Sequence, residues 1–558
     1  MPKHKKKTDL PGCVDTDSVT VSDFNQGISE TSDRDAAELI SRLTKIGSAL
    51  SAEKNIDSLL EMIVDEAKKL TNANGGTLYV TSEDEMALKF AIVQNDKLQI
   101  RMGGTGEKIS WPPVQLKNPD DSPNYTNVSA YAALTGNVVN IDDVYHATGF
   151  NFEGTRRFDE QTGYRSTSML VVPLKNHDND MIGVLQLLNA QVPVTGEIRA
   201  FTRQEQQITE SLASQAAVAL SNKILIHSLE ELLDSFIRTI ATAIDEKSPY
   251  TGGHVRRVAD LTLIIADRIN AVREGPFADC FFSPEQLSEL RIAAWLHDVG
   301  KITTPEHIVN KSTKLETIVD RIELIKTRME IMKRDRELAA LKRTLARLQA
   351  TETDPIPTQE DPTEAPYDDL FQFIEKINLG IDEINNEILD RLRAASDWQW
   401  QDKDGFRPLL TENEIYNLSI RRGTLTDEER AIIESHAAIT HGMLSKLPFP
   451  KKFKNVPFLA ASHHERLDGT GYPQGLTGDQ LPLQARILAL ADIFEALTAT
   501  DRPYKQGNTL NDAIRIMAHM AEDHHIDADL FHLFLQEKIH LDYATRELSD
   551  WQHREPEV

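Results

Sequence analysis

The sequence predicts a multidomain protein: an α+β domain in the N-terminal half, a long helix of coiled-coil pattern, and an all-helical domain in the C-terminal half that carries a helical-hairpin insertion. Three observations predict it. Short runs rich in β-formers lie between helical segments before residue 200, apolar residues recur at alternating steps of three and four from 208 to 243, and helical patterning after 245 is broken by a Pro-rich acidic stretch. At 558 residues the chain also exceeds the size at which one core keeps growing.

Residues 1–34 are polar and rich in Ser, Asp and Thr, and are read as a disordered leader. The first domain spans 35–204. It opens with two amphipathic segments, AAELISRLTKIGSAL and IDSLLEMIVDEAKKL. Strands are expected at 75–80, 88–93, 168–174 and 181–188, the last two forming an antiparallel hairpin across the polar link Lys175-Asn176-His177-Asp178-Asn179-Asp180.

A linker helix is expected over 205–244, with a heptad register through Leu212, Gln215, Ala219, Asn222, Ile226, Leu229, Leu233, Phe236, Ile240 and Ala243. Asn222 at a core position is the kind of polar insertion that sets register in a two-stranded coil, so a parallel homodimer is expected. The all-helical domain comprises 245–310 and 423–558, and the insertion 311–422. Within the insertion one stripe runs through Leu315, Ile318, Ile322, Ile325, Met329 and Met332 and resumes out of phase at Leu338, Leu341, Leu345 and Leu348. The stretch TETDPIPTQEDPTEAP then breaks the helix, and Ile374, Ile377, Ile381, Ile384 and Ile388 form the second arm of the hairpin.

Composition narrows the function classes. With 40% hydrophobic and 27% charged residues and no long uninterrupted apolar run, a soluble protein with no membrane span is expected. The basic N-terminus has no apolar stretch behind it, and the only cysteines are Cys13 and Cys280, which fits a reducing, cytoplasmic setting. A formal net charge of −26 argues against binding a nucleic-acid polymer. A small anionic ligand needs a local cationic pocket, for which Lys301, Arg486, Arg502 and Lys505 are candidates.

Metal-capable side chains fall in compact groups: TGGHVRRV with His254, WLHDVGKI with His297 and Asp298, ESH with His436, ASHHERLDGTGYP with His463 and His464, and ALADIFEALTATDRPYK with Asp492. Imidazole nitrogen and carboxylate oxygen suit Mn, Fe, Zn and similar ions. Adjacent helical residues point about 100 degrees apart, so His297 and Asp298 serve one ion only if their helix lies against it, or if Asp298 bridges two. A binuclear centre holds its ions roughly 3.5 to 4 Å apart, which suits phosphoryl chemistry.

These residues resemble the HD-GYP family of cyclic di-GMP phosphodiesterases, a branch of the metal-dependent HD phosphohydrolases: the His297-Asp298 pair, the trailing Lys301 and the run HHE-x-x-D-G-x-G-Y-P from His463 to Pro473 stand at family spacing. The resemblance implies metal ligation by His254, His297, Asp298, His436, His463, His464 and Asp492, with Asp298 the bridge and Asp298 and Lys301 catalytic. It implies substrate contacts by Lys301, Arg502 and Lys505, turning at Gly469 and Gly471, and a loop shaped by Gly471, Tyr472 and Pro473. Val255 stands where Ser is common, and Tyr250 stands where members with a third ion have Glu, so two divalent ions, Fe or Mn, are expected.

The implied activity is hydrolysis of cyclic di-GMP to linear pGpG or GMP. The alternatives are hydrolysis of another cyclic dinucleotide or nucleotide, and a receptor or adaptor that binds cyclic di-GMP without turnover. The N-terminal half resembles a GAF domain, with RRFDEQTGYRSTSMLVVPL similar to the strand region of GAF domains that bind cyclic nucleotides. The Asn-Lys, Phe, Asp-Glu signature is kept only in part, as Asn189-Ala190, Phe201 and Glu205-Gln206. A sensor role implies a small-molecule ligand there, transmitted through the linker helix, and a protein partner for the insertion or the GYP loop.

Overall fold

A computed structural model of the chain describes residues 40–247, 253–349, 367–380, 383–500 and 507–553; the leader, Cys13, Tyr250, Ile381, Arg502 and Lys505 lie outside them. Contacts divide the chain into two units, 1–231 and 232–558.

The first unit opens with helices α1 (40–52) and α2 (Ile56–Thr71). Asn55 caps α2 by accepting from the backbone N–H of Asp57 and Ser58, and Asn72 ends it in the left-handed conformation. An antiparallel sheet follows: β1 (Ala73–Thr81), β2 (Ala87–Asn95), β3 (Ile100–Gly103), β4 (Val114–Gln115), β5 (Val139–Ile141), β6 (Met169–Lys175), β7 (Met181–Gln191) and β8 (Ile198–Arg199). Helices α3 (Val128–Thr135) and α4 (Glu153–Thr162) interrupt it on either side of β5. The order is β3-β2-β1-β7-β6-β5, with β4 on β2 and β8 on β7. Three of the four expected strands fall inside β1, β2 and β7, the fourth matches β6 shifted by one residue, and the expected hairpin forms, its turn held by Asn176 Oδ1 accepting from the backbone N–H of Asp178 and Asp180.

Each sheet face has its own core. Leu59, Ile63 and Leu78 pack with Leu185 and Leu187 on one side, and Val128, Ala132, Phe152 and Val171 on the other. Burying each of the larger side chains contributes roughly 1.5–3 kcal/mol. The partial GAF signature residues have structural work in these layers. Asn189 is buried and donates to Tyr164 Oη and the Arg165 carbonyl, Phe201 joins the core, and Glu205 closes a reciprocal cap with Thr202 while pairing with Arg199.

Helix α5 (Arg203–Asp245) runs unbroken for 43 residues. Its expected heptad positions divide by surroundings: Leu212 and Ala219 lie in the core of the first unit, and Leu233 and Ile240 pack in the second beside Ile237 and Ile244. Ile226, Leu229 and Phe236 are the large apolar register positions that stay exposed, at 52%, 55% and 61%.

The second unit continues with α6 (His254–Ala271), α7 (Pro284–Leu296), a 3₁₀ turn (Val299–Thr303) and α8 (Glu306–Val309). The insertion then supplies α9 (Ile322–Gln349), α10 (Tyr367–Asn378), α11 (Asn386–Ser396), the ribbon β9 (Gln399–Asp402) and β10 (Gly405–Pro408), and α12 (Glu412–Leu418). The unit closes with α13 (Asp427–Leu444), α14 (Val456–Ala461), α15 (Leu483–Thr498), α16 (Leu510–Glu522), α17 (Ala528–Gln536) and α18 (Ile539–Glu547). Its main core joins Leu261 and Ile265 of α6 to Leu488 and Phe494 of α15 and Phe534 of α17.

The insertion is more than the helical hairpin expected from its stripes. Gly380, at φ +68°, and the Asn385 cap of α11 split the expected second arm into two helices, with Ile384 buried in the link between them. The β9–β10 ribbon, turned at Lys403-Asp404, is a further element the stripes do not show. The first stripe also divides: Ile325 and Met329 are buried, whereas Ile318, Leu338, Leu341, Leu345 and Leu348 are exposed. A separate core of Leu315, Ile325, Ile374, Leu392, Leu409 and Leu418 makes the segment self-packing.

Its two ends meet, since Thr424 Oγ1 donates to the Lys311 carbonyl at 3.3 Å. A deletion joining Lys311 to Thr424 through a short Gly/Ser linker is therefore expected to stay folded, because closure cost grows slowly with loop length. Circular dichroism and metal analysis of that variant check it: a soluble, helical protein that holds no metal would make the insertion part of the centre described next.

Candidate metal centre

Seven residues from five segments converge. His254 opens α6, His297 follows the last residue of α7 and Asp298 follows it, His436 lies in α13, His463 and His464 follow α14, and Asp492 lies in α15. Helix geometry orients three of the imidazoles. Nδ1–H of His297, His436 and His463 each donates to the carbonyl three residues back, that of Ala294 at 2.7 Å, Ile433 at 2.6 Å and Ala460 at 2.7 Å. A proton held on Nδ1 leaves Nε2 as the free donor atom aimed inward.

Asp298 stands between two donor sets. Its Oδ2 is 3.6 Å from His254 Nε2 and 3.4 Å from His297 Nε2, and Asp492 Oδ1 lies 3.4 Å from His254 Nε2 and 3.8 Å from His297 Nε2. Its Oδ1 faces the other way, 3.3 Å from His436 Nε2 and 3.8 Å from His463 Nε2. His464 completes the second set, its ring 4.0 Å from that of His463 and 5.1 Å from that of His436. The structure thus brings together all seven expected ligands, one carboxylate oxygen facing each set.

The chemistry of these atoms fits cations. His297 Nε2 and Asp298 Oδ1 are fully buried with no hydrogen-bond partner, a costly state unless a metal satisfies them. Burial works against the charge on Asp298, yet Lys301 and His297 hold its carboxyl well below the usual range. Asp492 is likewise ionised against burial by its hydrogen bond with His254 and the charge of His297. Burial pushes His463 far down and His464 down to about 4, leaving both neutral as ligation requires. His254 goes the other way: burial opposes its charge, but Glu495, Asp298 and Asp492 raise it, so the field at that point calls for positive charge.

The loops around the centre are tightly built. Thr440, one turn beyond His436, donates to the His297 carbonyl at 3.1 Å and accepts from Gly300 N–H at 2.9 Å. A Cβ on Gly300 would meet the His436 carbonyl oxygen at 2.1 Å, so only glycine fits there. Lys301 Nζ sits 2.5 Å from Asp298 Oδ2. In the GYP loop Gly469 turns at φ +81°, and a Cβ on Gly471 would lie 2.4 Å from Arg466 N. Tyr472 leans on His464 with ring centroids 4.7 Å apart, followed by a cis bond to Pro473, and buried Glu465 accepts from Gln474 N–H and Leu476 N–H.

One expected cation is misassigned. Arg486 donates to the Leu481 and Gly478 carbonyls and pairs with Asp527, so its guanidinium is occupied in holding a loop and does not line a phosphate pocket. Three residues that the sequence reading passed over belong near the centre: Glu495, against His254 Nδ1, and Asp245 and Lys247 at the end of α5. For Glu495 a signal existed, an acid one helical turn after Asp492 in ADIFEALT.

Comparison with known families accounts for both halves of the chain. A GAF-domain model matches residues 55–220, and two HD-domain models match 251–377 and 412–530. The chain carries a GAF domain followed by an HD domain. The HD domain includes the GYP run, and the second HD match covers His436, His463, His464 and Asp492. Similar curated proteins include 3′3′-cGAMP-specific phosphodiesterase 3 of Vibrio cholerae, 44% identical over 95 residues, or 17% of this chain and 20% of that protein. They also include the cyclic di-GMP phosphodiesterase response regulator RpfG of Xanthomonas campestris, 42% identical over 96 residues, or 17% and 25%. A third is 3′3′-cGAMP-specific phosphodiesterase 1 of Vibrio cholerae, 44% identical over 128 residues, or 23% and 28%. The chain therefore spans between a fifth and three tenths of the length of these relatives. Among the described residues no helix is long and apolar enough to cross a membrane.

The shared carboxylate generates a test. Asp298→Asn keeps the shape and removes the charge that both donor sets face. Wild-type protein loaded with Mn is expected to retain two ions per chain after desalting, and the variant fewer than one, with unchanged helical content. Elemental analysis reads this, and a variant holding two ions would remove Asp298 as the bridge.

Proposed function

We propose that the HD domain is a metal-dependent phosphodiesterase that hydrolyses cyclic di-GMP, under the control of the GAF domain. The observation that carries this reading is Asp298, each carboxylate oxygen turned to a different donor set and Lys301 Nζ beside it. Two divalent cations, Fe or Mn, would be held by His254, His297, Asp298 and Asp492 and by Asp298, His436, His463 and His464. When bound they supply Lewis acidity at a phosphoryl group.

The chain's own residues do the rest. Lys301 places a positive charge where a phosphate oxygen approaches Asp298, and Arg502 and Lys505 are assigned to the same phosphates by their place in the DRPYK run. A cavity of about 40 Å³ lined by Asp245, Lys247, Asp298, Lys301 and Glu306 lies beside the carboxylate, room enough for water. Addition of one water across a P–O3′ bond opens the ring to linear pGpG, and a second hydrolysis yields two GMP.

Two of the three relatives described above are named for 3′3′-cGAMP, which favours a mixed cyclic dinucleotide as the second reading. Chromatographic assay of purified, Mn- or Fe-loaded protein with each dinucleotide decides between them. Consumption of cyclic di-GMP with appearance of pGpG is expected. Preferential turnover of 3′3′-cGAMP would shift the substrate, and binding without turnover would replace the enzyme by a receptor.

Control by the GAF domain rests on how α5 ends. Asp245 Oδ2 accepts from Val255 N–H at 3.1 Å, next to His254. Lys247 Nζ donates to the carbonyls of Lys301, Ile302 and Thr304 at 3.2, 2.7 and 2.7 Å, closing the turn that carries Lys301. Lys247→Met is expected to lower kcat about tenfold or more, the equivalent of one or two lost hydrogen bonds, with metal content unchanged. Wild-type turnover in that variant would detach α5 from the site.

A further inference from the structure

We infer that Glu495 is the positioning residue for the ligand His254, setting its ring and strengthening Nε2 as a donor to one of the two ions. The inference rests on the metal centre proposed above. It concerns a residue that touches no reacting atom.

The argument begins with a difference among the histidines. His297, His436 and His463 each have a carbonyl three residues back to take the Nδ1 proton. His254 is the first residue of α6, after Gly253 at φ +83°, so α6 itself holds no carbonyl three residues back to act as that acceptor. The acceptor comes instead from another helix. Glu495, three residues after Asp492, lies one turn further along α15, and its Oε2 takes the Nδ1 hydrogen of His254. Asp492 meets Nε2 of the same ring, so two carboxylates of α15 hold both nitrogens of one imidazole.

Glu495 is itself fixed. It is fully buried, and its other oxygen accepts from Arg257 Nε at 2.7 Å, on the same face of α6 as His254. Desolvation works against its charge, but His254 and Arg257 keep it ionised. A carboxylate acceptor pulls the Nδ1 proton harder than a neutral carbonyl does, which raises ring basicity and ligand strength. Of the ligating histidines, His254 alone has a carboxylate at Nδ1 among the described residues. The effect therefore falls on the set of His254, His297, Asp298 and Asp492, and leaves the set of His436, His463 and His464 unchanged.

The competing account is that Glu495 only neutralises Arg257. Glu495→Gln preserves an acceptor for one partner and removes the charge, whereas Arg257→Met removes the ion pair and leaves the histidine contact. Wild-type, both variants and Glu495→Asp are loaded with Mn and titrated with a chelator while bound metal is counted. In Glu495→Gln one ion is expected to be released at roughly 10- to 100-fold lower chelator concentration, and the other as in wild type. Arg257→Met and Glu495→Asp are expected to hold both ions within a few-fold of wild type. In the Zn-loaded protein, the far-downfield proton resonance of the His254–Glu495 hydrogen bond should disappear in Glu495→Gln and persist in Arg257→Met. Should Glu495→Gln not fold, the resonance in Arg257→Met and the metal retention of Glu495→Asp carry the test, and loss of the first ion in Arg257→Met overturns the inference. Equal retention of both ions by Glu495→Gln also overturns it, while the metal centre stands. A wild-type chain that binds no metal would overturn the centre, and the role of Glu495 with it.

Discussion

The rest of the HD domain is arranged around one costly arrangement, an ionised carboxylate at Asp298 taken almost wholly out of water. Isolating such a charge costs several kcal/mol, and the cost is offset only by close, well-placed partners. Lys301 supplies one, through its contact with Oδ2. Four imidazoles supply the surroundings but not a full set of hydrogen bonds, since Oδ1 has no donor. The site therefore calls for positive charge beyond that of its own side chains, and gathering seven candidate ligands in one place and holding a cation there would be two sides of the same electrostatic requirement.

How segments so far apart in sequence deliver their side chains follows from helix ends. An imidazole at or just past the C-terminus of a helix can reach back to a carbonyl of its last turn, as His297 and His463 do, and this sets the ring without any long-range contact. His436 obtains the same bond inside α13. The remaining requirement is that the helices themselves be held in register. Thr440 does this between α13 and the turn after α7, and the glycine at 300 allows that turn to approach within contact of the His436 carbonyl.

Much of this was legible in the sequence, for identifiable reasons. The candidate ligands stood out unevenly: His297-Asp298 and His463-His464 as adjacent metal-capable pairs, and His254, His436 and Asp492 only through the resemblance. The strands of the GAF domain were legible from β-former runs bounded by polar turns, and the long helix α5 from its three-four spacing. What escaped depends on partners distant in sequence. Arg486 looks like a free cation until Asp527 and two loop carbonyls are placed beside it. Glu495 looks like an exposed helical acid until α6 packs against α15. In the insertion, a stripe of isoleucines reads as one helix, but Gly380 and the Asn385 cap end one helix and start another, and the ribbon closed by the two-residue turn Lys403-Asp404 is one that periodicity passes over.

The two additions to the HD core attach to elements that carry different donor sets. The end of α5 reaches the Oδ2 side: Asp245 holds the first turn of α6 beside His254, and Lys247 closes the turn of Lys301. The insertion is joined instead to α13, the helix of His436. At its start Lys311, its side chain fully buried, bonds Asn417 of α12 and both carboxylate oxygens of Glu429. Glu429 closes the cap of α13 with Thr426 and lies two helical turns before His436, on the same face of that helix. Lys314, also fully buried, donates to the Leu418 and Ile420 carbonyls at the end of α12, and burial lowers its pKa to about 8. Lysines buried in this way give the junction a defined geometry, because a displaced ammonium would be left without partners in an apolar setting. Each donor set thus shares a helix or turn with a different neighbouring element, and Asp298 is the one side chain that faces both.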